Sequence, residues 1–208
     1  MKSCTEMRQM DTMQTTAGNE IFSYWLELTR NQAVPLQRDF EPARVRHRLQ
    51  DLFILGYDLA GDLAFRLAGT RICSMFGREL RGQPYSKLWH DMQKAESGAT
   101  IKAVLAGGQP VVCDVVGLAP DASHSYELLL LPLRSGDTQP DRVLGALLRR
   151  TPRASGVPET VFCLYSRASR AASLAMPREH QEKQRLSRFM RQLLAVENTG
   201  TELSNKES

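Results

Sequence analysis

Three apolar runs follow one another in the second half of the chain with no room for a helix between them. They are PVVCDVVGLA (110–119), SYELLLLPL (125–133) and RVLGALLRR (142–150). The links, PDASH and SGDTQPD, are made of turn-forming residues. Parallel pairing needs a crossover of roughly a dozen residues or more, so the three runs must form an antiparallel meander. Two earlier runs, LFILGYDL (52–59) and DLAFRLAG (62–69), flank Ala-Gly and read as a hairpin.

Between hairpin and meander the apolar period becomes helical. RICSMFG is a short helix with little polar face, stopped by Gly77. RGQPYSKLW is a turn and a short helix, and HDMQKAESGATIKAVLAGG is a longer helix ending at a glycine pair. Ahead of the hairpin, NEIFSYWLELTR places Ile21, Phe22, Trp25 and Leu28 toward one side of a helix from Asn19. DFEPARVRHRLQDL begins another, with Asp39 as candidate cap and Pro42 in the first turn. The expected fold is α+β: a five-stranded antiparallel sheet with short helices inserted after the second strand, plus N-terminal and C-terminal helices.

The boundaries expected are a flexible tail 1–18, N-terminal helices 19–50, a core 51–150, a linker 151–177, a basic amphipathic helix 178–196 and a second tail 197–208. The linker holds TPRASGVP and a short run, VFCLY, to which the sequence assigns no role. The helix carries Leu186, Phe189, Met190 and Leu193 on one stripe, with Arg185, Arg188 and Arg191 on flanking faces, and is a candidate docking helix. Charge is uneven. Residues 1–100 hold 13 Lys/Arg against 12 Asp/Glu, whereas residues 142–191 hold 11 against 3. Attraction to an acidic partner therefore belongs to the C-terminal third.

Several classes are disfavoured. The run LLLLPL is too short to span a bilayer, and the first residues lack the apolar stretch of a signal peptide. The expected location is the cytoplasm, with the widely spaced Cys4, Cys73, Cys113 and Cys163 reduced. No CxxC occurs, and His47 and His124 make no ligand spacing with a cysteine, so no metal site is expected. Ser74, Ser123 and Ser125 lack a nucleophile-elbow context, and no catalytic residue or enzyme activity is expected. Glu127 is read as a structural partner for Arg134.

The stretch AFRLAGTRICSMFGRELRGQPYSKLW (64–89) carries a resemblance. With YWLEL and P-x-x-R-D-F-E-P upstream, it is similar to a PAS-like family of mostly uncharacterised stand-alone proteins found largely in alphaproteobacteria. The likeness covers roughly residues 20–150. It implies a sheet curled around a cavity that in some relatives holds haem, flavin or a metabolite. A haem site needs a cavity-facing histidine, for which His90 is the candidate; a solvated helix-end histidine is the simpler reading. A photoreceptor-type flavin site needs a reactive cysteine in an N-C-R-F-L-Q-like helix, and Cys73 lacks those neighbours, so a small core residue is the better reading. No cofactor is expected.

The residues of 64–89 read as a folding signature. Gly69 and Gly77 mark backbone corners, Gly82 serves the next turn, and Thr70 caps the helix between them. Phe65 and Leu67 share one strand face with Arg66 on the other, and Trp89 supplies the largest apolar area. The functional expectation is a sensory or regulatory module acting through a protein partner. A homodimer is expected through Ile21, Phe22, Trp25 and Leu28. The alternative is binding of nucleic acid or anionic surfaces through 142–191, although no helix-turn-helix, zinc finger or RNP-type motif accompanies that segment.

Overall fold

The computed structural model describes residues 13–29, 34–120, 122–137, 139–150 and 160–172. The candidate docking helix, with Leu186, Phe189, Met190 and Leu193, lies outside them.

The hairpin and meander form as expected. Strands β1 (Leu52–Tyr57) and β2 (Leu63–Ala68) pair antiparallel, as do β3 (Val111–Leu118), β4 (Ser123–Leu133) and β5 (Arg142–Arg149). β1 lies beside β5, in register Phe53 with Gly145. The sheet has a sixth strand, β6 (Cys163–Ala171), which pairs antiparallel with β3 and makes the order β2-β1-β5-β4-β3-β6. It falls inside the segment read as linker. Its sequence, CLYSRASRA, lacks an apolar alternation because it is an edge strand; only Leu164 and the preceding Val161 are buried in the core.

Alternation along the strands makes two apolar faces. The inner face, with Phe53, Leu55, Cys113, Val115, Leu128, Leu130, Val143 and Leu147, packs against the segment between β2 and β3. That segment contains α2 (Thr70–Met75), a 3-10 turn Tyr85–Leu88 and α3 (Lys94–Gly107), which ends at Gly108 in the left-handed conformation, φ 59°. The outer face, with Leu129, Leu131, Leu133, Leu144 and Leu148, is covered by α1 (Thr16–Leu28).

α1 uses its stripe within the chain. Ile21, Phe22 and Trp25 are at most 4% exposed, and Trp25 Nε1 donates to the Pro132 carbonyl at 3.0 Å. Burial of such side chains contributes about 1.5–3 kcal/mol each. The residues expected to join two copies are therefore spent on the chain's own sheet, with Leu28 half-buried at the helix end. The helix also starts before Asn19. Its N-cap is Thr15 and Met13 is buried, so the ordered chain reaches into the segment read as a tail.

The second N-terminal element is a run of 3-10 turns, Pro42–Asp51, with Pro42 at its start as expected. Its N-cap is Glu41 rather than Asp39, which belongs to a separate turn, Gln37–Asp39. Arg44 binds Glu27 at 2.8 Å, and His47 and Arg48 bind Glu20 at 2.5 and 3.0 Å, tying the run to α1.

Candidate functional site: the inner face of the sheet

The signature stretch shapes the inner face, though not always as expected. Gly77 and Gly82 have φ of +62° and +76°, a region costly for residues with a Cβ. Gly69 has an ordinary φ of −69°, and its constraint is crowding: a Cβ there would strike the carbonyl oxygens of Leu49 and Gln50. Gly69, not Thr70, is the N-cap of α2. Thr70 is the exposed first helical residue, and no side chain caps the helix. Arg66 is exposed because the β1–β2 register shifts there, leaving it as the extra residue of a bulge. The bulge also turns Leu67 out to 51% exposure while Phe65 stays 1% exposed, so the two do not share a face. Glu79 accepts from the backbone N–H groups of Leu80 and Arg81 at 3.0 and 3.1 Å. It thereby fixes the turn of the GREL sequence.

Aromatic rings fill the space the signature encloses. Phe53 and Phe65 meet edge to face at 5.5 Å between centroids, Phe65 and Tyr85 at 5.9 Å, and Tyr85 and Trp89 at 5.7 Å. The gap left between Tyr85, Trp89, Ser97, Cys113, Leu128 and Ser166 has room for about one water molecule. Ligand pockets span about 300–1,000 Å³. Burial pushes the Tyr85 phenol well above its usual range and the Cys113 thiol up to about 12, so both are neutral and neither is an activated nucleophile. The Trp89 indole N–H is buried without a hydrogen-bond partner.

A haem or a flavin does not fit this arrangement, because side chains occupy the volume it would need. The residues considered for such groups also lie apart from it. His90 accepts from Met92 N–H at 3.4 Å through Nδ1, and its ring meets Tyr165 at 6.3 Å, beside β6. Cys73 is half-buried and packs against the core. Its thiol lies 3.6 Å from Glu79 Oε1, and burial raises it. His47 is held by Glu20, and His124 Nδ1 lies 3.1 Å from Arg149 Nη2. Among the described residues no group of three or more His, Cys, Asp or Glu is placed to hold a metal ion. Likewise no helix there is long and apolar enough to cross a membrane.

β6 closes one side of the inner face. The Val161 N–H donates to the Met75 carbonyl at 2.8 Å, that of His90 to Leu164 at 3.0 Å, and that of Ser166 to Gln93 Oε1 at 2.9 Å. These bonds stitch the last strand to the helical segment. Sequence reasoning had no signal for them beyond the apolar VFCLY.

Charged residues on the outer face were also misread. Glu127 does not pair with Arg134; it is fully buried and accepts from the backbone of Gln14 and Thr15 and from the Thr15 hydroxyl. Arg134 Nε donates to the Val34 carbonyl at 3.0 Å. Asp114, opposite Glu127 on β3, binds both Arg150 and Arg170.

The sheet order, with inserted helices on the inner face, accompanies a sequence match. The pattern of the PAS domain matches residues 13–148. The chain belongs to the PAS domain family. β6 lies beyond the matched region. Similar solved structures include a light-oxygen-voltage domain studied with a flavin analogue. It is 15% identical, aligned over 51% of this chain and 82% of that one, with a TM-score of 0.42. The light-oxygen-voltage protein of Rhodobacter sphaeroides is 17% identical, over 53% and 68%, with a TM-score of 0.40. A PAS domain from Colwellia psychrerythraea is 15% identical, over 52% and 97%, with a TM-score of 0.39. Likenesses this distant say nothing of ligand or partner. No curated protein matches the chain.

Proposed function

We propose that this PAS domain is a sensory or regulatory module that works through contact with another protein and without a resident cofactor. The observation that carries the reading is the filled inner face. Phe53, Phe65, Tyr85 and Trp89 pack into the interior, and the gap beside Tyr85 and Trp89 has room for about one water. A signal then has to arrive or leave through the surface. It does so by biasing two packings of the elements on the sheet, which requires different affinity for the two. The test is native mass spectrometry of the freshly purified full chain, read beside its absorption spectrum. The expected result is the polypeptide mass alone and no band in the visible region. A stoichiometric haem or flavin band overturns the reading, and loss of a Soret band in His90→Ala would assign the ligand.

A second reading rests on charge. Arg149 and Arg150 at the end of β5 and Arg167 and Arg170 on β6 belong to the part of the chain that carries the basic excess. Arg150 and Arg170 converge on Asp114 of β3 although β4 and β3 separate the two strands. Binding of an anionic surface or nucleic acid there would fall steeply with salt on a heparin column. Retention that is lost at low salt counts against it.

A further inference from the structure

The chain has two tryptophans, and their buried indole N–H groups are treated differently. Trp25 shows the ordinary arrangement, donating through Nε1 to the Pro132 carbonyl at 3.0 Å. Trp89 Nε1 has no acceptor among the described residues. A buried donor in that position gives up the hydrogen bond it makes to water in the unfolded chain, so it calls for a partner. The indole N–H is close enough to the Tyr85 phenol to favour its ionised form against the burial, yet the two do not meet in a hydrogen bond.

Both rings line the gap on the inner face, and so do Ser97 of α3 and Ser166 of β6. The Ser97 hydroxyl donates its only proton to the Lys94 carbonyl at 3.0 Å, so its oxygen keeps lone pairs and has no proton left to give. The lining therefore combines an unspent N–H donor with a hydroxyl oxygen that can only accept. What complements it is a small neutral molecule that accepts one hydrogen bond and donates one or two. The room is that of about one water. A hydrocarbon side chain could fill the volume but would answer neither group. Glu96, the charged residue of the lining, is exposed and accepts from Gln93 Nε2 at 3.2 Å, so it marks the side on which solvent reaches the gap.

We propose that this gap is a built water site, in which one ordered water accepts from the Trp89 indole N–H and donates to the hydroxyl oxygens of Tyr85 and Ser97. Ser166 closes the site from β6, a strand beyond the region that matches the PAS domain. The site is therefore complete only when β6 is paired. The bond from Ser166 N–H to Gln93 Oε1 at 2.9 Å holds that wall in place. The proposal goes beyond the functional reading above and does not depend on it.

The test is solution NMR of the full chain labelled with nitrogen-15 at tryptophan, which gives one indole signal for Trp25 and one for Trp89. Rotating-frame cross-relaxation with water is read at each indole hydrogen, where chemical exchange is recognised by its opposite sign. The expected result is a dipolar water cross-peak at Trp89 and none at Trp25, whose hydrogen is held by Pro132. Ser97→Val places a methyl in the gap and should abolish the Trp89 cross-peak while the Trp25 signal stays where it is. Absence of the cross-peak in the wild type overturns the proposal, and so does a cross-peak that persists undiminished in the variant. If Ser97→Val does not fold, Ser166→Val on the edge strand fills the gap from the other side and decides in its place.

Discussion

The ring of Phe53 lies over Gly145, its partner across the β1–β5 ladder, in the space where any other residue would place a Cβ. The glycine is the floor on which the aromatic cluster of the inner face is built, since Phe53 in turn touches Phe65 and Tyr85. Gly145→Ala is expected to destabilise the chain by about 1–3 kcal/mol through overpacking. Adding Phe53→Leu to that variant should cost less than the two single changes together, because the residues share one space. Urea denaturation of the four proteins checks it, and simple additivity would show that the ring has another place to go.

Gly69 and Gly77 are needed for different reasons, and substitutions separate them. Gly69 N–H donates to the Leu52 carbonyl at 2.7 Å, and its Cα side faces the carbonyls of Leu49 and Gln50. Gly69→Ala should therefore cost at least about 2 kcal/mol despite its ordinary φ. At Gly77 a Cβ would meet nothing within 4 Å, and only the φ of +62° resists. Gly77→Ala should cost about 1–2 kcal/mol, and Gly77→Asn distinctly less, because asparagine tolerates the left-handed region. Equal tolerance of asparagine at both positions would contradict this division.

The strands were legible where burial imposes a pattern. PVVCDVVGLA and SYELLLLPL lie in the middle of the sheet, and their position could be read from apolar length and turn residues alone. β6 was not, since an edge strand borrows its order from β3 and needs few apolar residues of its own. The glycine inside RVLGALLRR is a legible sign of a close approach, here that of the Phe53 ring. Leu67 was placed on the wrong face because one extra residue, Arg66, reverses the alternation, and a bulge leaves no mark in such a short strand. The partners of Glu127 lie 112 and 113 residues away, beyond any local pattern.

Thr70 illustrates a helix start that sequence signals misplace by one residue. Its side chain caps nothing and is exposed. Thr70→Ala should change stability by no more than about 0.5 kcal/mol. A loss near 1 kcal/mol in chemical denaturation would restore it as a cap.

Asp51 closes the 3-10 run just before β1 and is 3% exposed, with Oδ1 and Oδ2 at 2.5 and 2.6 Å from Arg71 Nη1. Burial raises its carboxyl above the ordinary range, and the charge and hydrogen bond of Arg71, with help from Arg48, offset only part of that. A carboxyl whose folded value is raised binds its proton more tightly in the native state than in the unfolded one. Its contribution is therefore greatest below the unfolded value and is lost as pH rises through the folded one. Asp51→Asn removes this titration and keeps the shape. The stability advantage of the wild type over Asp51→Asn should accordingly shrink as pH rises from the ordinary carboxylate range toward neutrality. Denaturation midpoints of both proteins at acid and neutral pH read the difference directly. A gap that widened on the way to neutral pH would mean that the Arg71 pair outweighs the burial, and that the salt bridge, not the hidden carboxyl, governs this corner of the fold.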